Sequence, residues 1–130
     1  MKNQIRHFTD LEAWKVNHEV VRSVYKITES FPSKERFGII DQLRRAAASS
    51  TANIAEGWGR FHYADRARFY IQARGSNYEV QNYLILAKDL GFLEQKKFNE
   101  LMNLVDQGSR ILNGLIRSVE ERSNTSGTRK

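Results

Sequence analysis

The chain has no cysteine among its 130 residues and only one proline, Pro32. The missing cysteines exclude disulfides and thiolate metal sites, and they fit a reducing compartment. No apolar run is long enough to span a bilayer, and none follows Met1, so we expect neither a transmembrane segment nor a signal peptide. The sequence therefore predicts a cytoplasmic protein that does not associate with membranes.

Histidine is also scarce, and its three copies, His7, His18 and His62, lie far apart. The sequence contains no HExxH motif, and no glutamate is followed three residues later by histidine, as a di-iron bundle requires. The glycines around Trp58 lack the remainder of a phosphate-binding loop. We therefore predict no metal site, no cofactor and no catalytic residues, and hence a protein that is not an enzyme.

Three polar residues on predicted helices have ordinary structural interpretations. His18 lies on the predicted inner stripe of the first helix, where a hydrogen-bonded core residue is expected more often than a ligand. Asn53 and Glu56 are one turn apart near the end of the second helix, where they would form a buried structural pair. A lone carboxylate without a base or metal partner is weak support for catalysis.

What the sequence does contain is helical periodicity in a chain of 40% hydrophobic and 28% charged residues. A capping box from Thr9 to Glu12 starts the first helix, and Pro32 follows its end. Gly57 and Gly59 provide left-handed freedom at the end of the second helix, and Gly91 ends the third. The pattern predicts helices at about 9–30, 39–56, 64–90 and 94–122, in one domain of residues 1–123 followed by a flexible polar tail, 124–130.

Apolar residues recur every three or four positions in each predicted helix. The first helix has two neighbouring stripes, one of Leu11, Trp14, His18, Val21, Tyr25 and Thr28, the other of Ala13, Val16, Val20, Val24 and Ile27. The other inner faces are Ile40, Leu43, Ala47, Ser50 and Ile54; Phe69, Ala73, Ser76, Val80, Tyr83, Ala87 and Leu90; and Phe98, Leu101, Val105, Gly108, Leu112, Leu115 and Val119. With no strand or hairpin signal and short connections, the sequence predicts an all-α, antiparallel up-down-up-down four-helix bundle.

The third and fourth helices carry additional apolar residues beside their main stripes. They are Ala67, Ile71, Tyr78 and Ile85 in the third helix, and Leu104 and Ile111 in the fourth. These positions indicate either a wide core face or a surface buried against another copy of the chain. We favour self-association, since exposed apolar surfaces of this kind usually mark interfaces.

The formal net charge of +6 is concentrated in the middle of the chain and at its two ends. Residues 33–75 hold eight basic and four acidic residues, a net +4. This distribution is typical of a basic patch that contacts phosphates, although a solvated, charged surface remains the alternative. The candidate nucleic-acid contacts are Arg44, Arg45, Arg60, Arg66, Arg68 and Arg74.

Aromatic residues are interleaved with these arginines. They are Phe61, Tyr63, Phe69 and Tyr70. Such a mixture can stack unpaired bases while the arginines hold phosphates, but Phe69 can equally be core and the tyrosines can line a helix junction. His62 is either a further phosphate contact or a solvated loop residue. Phosphate contact by the arginines alone is the narrower prediction.

Four segments resemble one known family, in the same order and spacing over roughly residues 8–120. They are Leu11-Glu12-Ala13-Trp14, Gln42-Leu43-Arg44-Arg45-Ala46-Ala47, Ala52-Asn53-Ile54-Ala55-Glu56-Gly57 and Leu86-Ala87-Lys88-Asp89-Leu90-Gly91. The family is the bacterial four-helix bundle family of proteins encoded by intervening sequences in large-subunit ribosomal RNA genes. It includes the accessory variability determinants of diversity-generating retroelements.

The resemblance implies a ring-like homo-oligomer, a homopentameric barrel of four-helix protomers with a basic surface. For the retroelement members it also implies binding of nucleic acid and of a reverse transcriptase. The Arg44-Arg45 pair matches the family pattern.

Together these observations predict a non-enzymatic, oligomeric protein that binds RNA or DNA through phosphates, with little sequence preference. It would act as an accessory factor to a reverse transcriptase if it belongs to a retroelement. The alternative is a protein-interaction scaffold whose basic patch meets an acidic protein partner.

Overall fold

The computed structural model describes residues 4–125, and within that range all regular structure is helical. The four main helices are α1 (Glu12–Thr28), α2 (Ile39–Trp58), α3 (Tyr63–Asp89) and α4 (Gln95–Thr125). Short 3-10 helices at Phe8–Asp10 and Ser33–Glu35 precede α1 and α2.

The four helices form an antiparallel bundle. α1 and α3 each pack against both α2 and α4. Because successive helices are joined by short connections, each runs back along its predecessor. The predicted all-α four-helix bundle is confirmed, whereas its assembly into a ring stays a prediction. Within residues 4–125 no helix has the length and apolarity that crossing a membrane requires.

The start of α1 differs from the predicted capping box. The Asp10 carboxylate accepts hydrogen bonds from the backbone N–H groups of Arg6 (3.0 Å) and His7 (3.1 Å), and the His7 ring accepts from the N–H of Thr9. The bond from the Arg6 backbone, followed by that from His7, lowers the pKa of the Asp10 carboxyl. The predicted Thr9–Glu12 box is therefore wrong, because His7 and Asp10 make the reciprocal cap two residues earlier, on the 3-10 helix that precedes α1.

The helix ends also shift from their predicted positions. α1 ends at Thr28, whose hydroxyl donates to the carbonyl of Val24 at 2.8 Å. α2 continues through Gly57, and Gly59 has a φ of −77°, so the predicted left-handed ending is wrong. Gly91, with a φ of 81°, is the one left-handed residue in the described range. α4 runs through Thr125, beyond the predicted start of the tail, and residues 126–130 lie outside the described residues.

Gly57 lies inside α2 because α3 passes very close to it. A Cβ placed at Gly57 would lie 2.7 Å from Cε1 of Tyr70 and 3.0 Å from Cβ of Phe69. Further along the same contact, the Ser76 hydroxyl donates to the Ser49 hydroxyl at 3.0 Å. The small residues of α2 therefore allow a close approach by α3 within one protomer.

The buried apolar side chains form two clusters, one toward each end of the bundle. One cluster lies toward the end that carries the α2–α3 connection, which we call the junction end. It is built on Leu11, Ala13, Ile54, Ala67, Tyr70, Ala73, Leu112, Ile116 and Val119. The other lies toward the opposite end and includes Val20, Val24, Leu43, Val80, Leu84, Leu101 and Val105.

A polar layer separates the two clusters at the middle of the bundle. Each helix contributes one buried residue to this layer: Asn17, Ser50, Asn77 and Gly108. The Asn17 amide donates to the carbonyl oxygens of Ala13 (2.7 Å) and Gly108 (3.4 Å), while its Oδ1 accepts from Nδ2 of Asn77 at 3.0 Å. Ser50 Oγ and Asn77 Oδ1 are buried without a hydrogen-bond partner among the described residues.

The predicted inner faces are correct for α2 and for most of α4. In α1 and α3 some residues predicted to be buried are exposed or half-buried, and neighbouring residues are buried instead. In α1, Asn17 is buried, whereas Tyr25 is exposed and His18 is half-buried. His18 stacks on Trp14 with ring centroids 4.4 Å apart, so its predicted place in the core is wrong. In α3, Tyr70 and Leu84 take the buried places predicted for neighbouring residues of that helix, and Leu90 is exposed.

The additional apolar residues of α3 and α4 differ in their exposure. Ala67 is buried, and Leu104 and Ile111 pack half-buried against the core clusters. Three others, Ile71, Tyr78 and Ile85, are exposed along the outer face of α3. We call these three residues the α3 outer stripe. They are available to contact another copy of the chain, and self-association stays a prediction.

Candidate nucleic-acid interface

The α2–α3 connection is a short, hydrogen-bonded turn of residues 59–62. The backbone N–H of Gly59 donates to the Glu56 carbonyl at 3.1 Å, and that of Arg60 donates to the Gly57 carbonyl at 3.1 Å. From the first turn of α3, Nε of Arg66 donates to the Arg60 carbonyl at 2.8 Å. The end of α2 and the start of α3 are thus joined by a side chain as well as by the backbone.

Arg60 and Arg68 lie at this turn and share one aromatic ring. Their guanidinium carbons lie 4.6 Å and 4.7 Å from the centroid of the Phe69 ring. Arg60 pairs with Glu56 at 2.6 Å, and Arg68 lies 3.8 Å from Asp65. The Nε of Arg60 is buried and has no hydrogen-bond partner among the described residues. Two guanidinium groups therefore pack on the same ring, that of Phe69.

Arg66 and Arg122 extend this group of cations. Arg66 lies 5.1 Å from the Trp58 ring and 5.6 Å from the Tyr63 ring, and Arg122 of α4 lies 5.7 Å from the same tyrosine. We call Arg60, Arg66, Arg68 and Arg122 the junction cluster. Arg122 was not among the predicted contacts, because only the antiparallel packing of α4 brings it to residues sixty positions earlier.

Arg44 and Arg45 are far from the junction cluster. Between Arg44 and Trp58, α2 rises about 21 Å toward the junction end. Arg44 reaches across to α1, where Nε donates to Oγ1 of Thr28 at 2.8 Å and Nη2 donates to the Tyr25 carbonyl at 3.3 Å. Its guanidinium lies 4.5 Å from the Tyr25 ring. The Arg44 side chain therefore satisfies groups at the end of α1.

Arg45 faces a different direction from its neighbour in sequence. Its side chain is 77% exposed, and its Nε lies 2.9 Å from Oδ2 of Asp41, one turn earlier in α2. Adjacent positions on a helix point about 100° apart, which explains why the pair divides into one bridging and one solvent-facing arginine.

Arg74 lies on α3 beyond the junction cluster. Its Nη1 donates to Oδ1 of Asn113 on α4 at 3.0 Å. The six predicted contacts therefore do not form one patch. Arg60, Arg66 and Arg68 come together, whereas Arg44, Arg45 and Arg74 occupy three separate places.

Tyr70 lies beneath the junction end in the core. Burial raises the pKa of its phenol, and the nearby positive charge of Arg66 lowers it by less. The neutral phenol is the form that fits this apolar site, since burial disfavours the charged form.

The other polar candidates have local structural partners. The Asn53 amide donates to the carbonyl and hydroxyl of Ser49 at 2.9 Å and 3.2 Å, while Glu56 pairs with Arg60. The predicted buried pair of Asn53 and Glu56 is therefore wrong, because each turns to a neighbour on its own side of the helix. In the described part of the chain, no three acidic or histidine side chains come together closely enough to hold a metal ion.

Comparison with known proteins identifies the family. Residues 9–114 match the family described as 23S rRNA-intervening sequence protein. The chain belongs to this family. A solved structure, that of a protein of unknown function from the S23 ribosomal protein family of Bacteroides thetaiotaomicron VPI-5482, is similar with a TM-score of 0.72. The two chains are 20% identical, and the similarity covers 80% of this chain and 97% of the other. None of the curated proteins matches.

Membership of the 23S rRNA-intervening sequence protein family covers most, but not all, of the candidate interface. Arg60, Arg66 and Arg68 lie within the matched residues, and Arg122 lies beyond them. At this level of identity the solved structure supports the fold alone. Neither comparison names a retroelement, so the predicted association with a reverse transcriptase stays a prediction.

Proposed function

We propose that this protein is a non-enzymatic binder of nucleic acid that contacts phosphates mainly through the junction cluster. The observation that carries the proposal is that four guanidinium groups, from α3, α4 and the α2–α3 turn, gather around three aromatic rings. Aromatic faces hold guanidinium groups in place without neutralising them. Arginine contacts to phosphate are charge-assisted and often bidentate, which favours this residue for the task.

The ion pairs at the junction end do not prevent phosphate binding. Both carboxylate partners, Glu56 and Asp65, have exposed side chains, at 55% and 46%. Exposed pairs of this kind contribute only about 0–1 kcal/mol, so a phosphate can displace them at small cost. None of the ion pairs among residues 4–125 involves Arg66, whose Nε bonds to the Arg60 carbonyl.

The remaining three predicted contacts have unequal parts in this proposal. Arg45 is the most available, because it faces solvent with one exposed carboxylate beside it. Arg74 bonds to the neutral amide of Asn113. Arg44 is the least available, since two of its nitrogens already bond to α1.

We further propose that copies of the chain associate through the α3 outer stripe, as a pentamer according to the family resemblance. Ile71, Tyr78 and Ile85 follow one another at seven-residue spacing, the repeat that keeps one face of a helix turned toward a partner. Repeating the junction cluster around a ring would raise its effective affinity for a long polyanion without any new contact. Light scattering of a variant with Ile71 and Ile85 changed to Glu tests this association. A mass equal to that of the wild-type assembly would contradict it.

The proposed function is tested by titrating labelled RNA and DNA at increasing salt. Binding should weaken linearly in the log–log plot of affinity against salt, and changing Arg60, Arg66 and Arg68 to Gln should reduce the slope by roughly one per lost phosphate contact. A control variant with Lys34, Arg36 and Lys96 changed to Gln removes the same charge from the opposite end.

Helix content by circular dichroism should be retained in both variants. The single variant Arg68→Gln, at an exposed side chain, repeats the test with the smallest effect on packing. Equal slopes for the two triple variants would refute the assignment to the junction cluster. Absence of binding at low salt would refute the function itself.

A further inference from the structure

Phe61 is 89% exposed at the middle of the α2–α3 turn. Its ring centroid lies 5.0 Å from that of the adjacent His62, at an interplanar angle of 82°. At this exposure a face of the phenyl ring is open to solvent. Such a ring leaves apolar surface in water that a ligand can cover favourably.

The turn that carries Phe61 is held on both sides. The Arg60 N–H is bonded to Gly57, and the Arg60 carbonyl accepts from Arg66 at 2.8 Å. On the other side, the His62 carbonyl accepts the backbone N–H of Arg66 at 3.1 Å. Phe61 therefore projects from a fixed backbone, and little conformational freedom is lost when a ligand packs on its ring.

Two cations of the junction cluster, Arg60 and Arg66, belong to this turn or bond to it. Arg60 directly precedes Phe61 in the sequence, and Nε of Arg66 donates to the Arg60 carbonyl. An open aromatic face on the turn that carries Arg60 and binds Arg66 has the two components of a single-strand site, a platform for a base and contacts for its phosphates. Bases within a duplex are stacked on one another and present no free face to such a platform.

We propose that the junction end binds single-stranded nucleic acid, with an unpaired base stacked on Phe61 and the adjoining phosphates held by the junction cluster. This inference rests on the proposed function and adds to it the class of ligand. The stacking contact tolerates any base, because every base has a π face. The site therefore selects unpaired regions, in RNA or DNA, over duplex.

Phe37 provides a matched control within the same chain. It is 87% exposed at the opposite end of the bundle, and Arg36 lies 5.9 Å from its ring centroid. The two phenylalanines thus share exposure and an adjacent arginine, but only Phe61 lies on the turn that carries Arg60 and binds Arg66. Each can be replaced without creating a cavity in the core.

The experiment measures the affinity of wild type, Phe61→Ala, Phe61→Trp and Phe37→Ala for a labelled single strand and for a blunt duplex of the same length and at the same salt. We expect Phe61→Ala to weaken single-strand binding roughly 5- to 150-fold and to leave duplex binding unchanged. Phe61→Trp should retain single-strand affinity, and Phe37→Ala should match wild type. RNA and DNA versions of each strand show which sugar is preferred.

Other outcomes separate the two proposals. If salt-dependent binding persists but Phe61→Ala has no effect on the single strand, the stacking inference fails and the proposed function stands. Equal losses on strand and duplex, or equal losses in Phe61→Ala and Phe37→Ala, also overturn it. If neither ligand binds wild type at low salt, the proposed function fails as well.

Discussion

Replacing Gly108 by alanine should destabilise the bundle although alanine is the better helix former. A Cβ at this position would lie 2.6 Å from Oδ1 and 3.0 Å from Cγ of Asn17. Asn17 cannot simply turn aside, because it is fully buried and bonded to Ala13 at 2.7 Å and to Asn77 at 3.0 Å. The added methyl group therefore breaks hydrogen bonds in the polar layer.

The magnitude follows from two opposing contributions to the free energy of unfolding. Leaving one or two buried polar groups without partners costs about 1–3 kcal/mol each. The change from glycine to alanine inside a helix returns about 1 kcal/mol. When both bonds of Asn17 are lost, the net loss is therefore about 1–5 kcal/mol, and the melting temperature falls by roughly 4 °C for each kcal/mol.

The assay is urea unfolding followed by circular dichroism, at one protein concentration for all variants. Gly114→Ala is the matched control, because it lies in the same helix and its added Cβ would meet only the end of Arg117, at 3.9 Å. It should stabilise the protein by about 0.5–1 kcal/mol. In an Asn17→Ala background, Gly108→Ala should become stabilising too, because the clash is gone.

The refuting result is a Gly108→Ala protein as stable as Gly114→Ala. A destabilisation of the same size with and without Asn17 would also contradict the reasoning, since it would place the clash elsewhere.

Three further predictions concern the helix contacts. Arg44→Gln should cost about 1–2 kcal/mol, because two bonds to the end of α1 are lost, whereas Arg45→Gln should change stability by less than about 0.5 kcal/mol; urea unfolding of both measures the difference. Gly57→Ala should cost about 1–3 kcal/mol, because its Cβ would meet Tyr70 at 2.7 Å, and an unchanged melting temperature would contradict this. Burial raises the pKa of Tyr70 above its ordinary value of 10.0, so the phenol ionises first in the unfolded chain. The stability that is present below pH 10.0 should therefore fall as pH rises from 10.0 through the pKa of the folded protein. Tyr70→Phe should show a smaller fall in parallel unfolding measurements, and identical pH profiles would exclude this role.

Periodicity was sufficient to predict the bundle but not every buried residue. In α2 the inner face from Leu43 to Ile54 is correct because the large apolar residues of that helix lie on one side. In α3 apolar residues occur on two sides, so the sequence offers no contrast by which to choose Tyr70 over Phe69. Asn17 was missed for a related reason, since an amide is buried only when partners on other helices are already in place.

Only part of the candidate site could be predicted from the sequence, because the rest depends on how the helices are arranged. The charge count grouped the arginines along the sequence, and a short turn kept Arg60, Arg66 and Arg68 together. Arg44 and Arg45 were assigned to the same patch, but a straight helix carries them about 20 Å from Trp58. Arg122 was missed because its approach to Tyr63 depends on how α4 returns along the bundle.

The buried amides at the centre of the bundle also limit how the helices can slide. A shift of one helix by a single turn, about 5.4 Å, would set the amide of Asn17 among aliphatic side chains and leave Asn77 facing none of its present acceptors. Aliphatic residues tolerate such a slip, because one branched side chain replaces another, whereas an amide does not. The two asparagines thereby define a single vertical alignment for a molecule whose apolar residues alone would permit several.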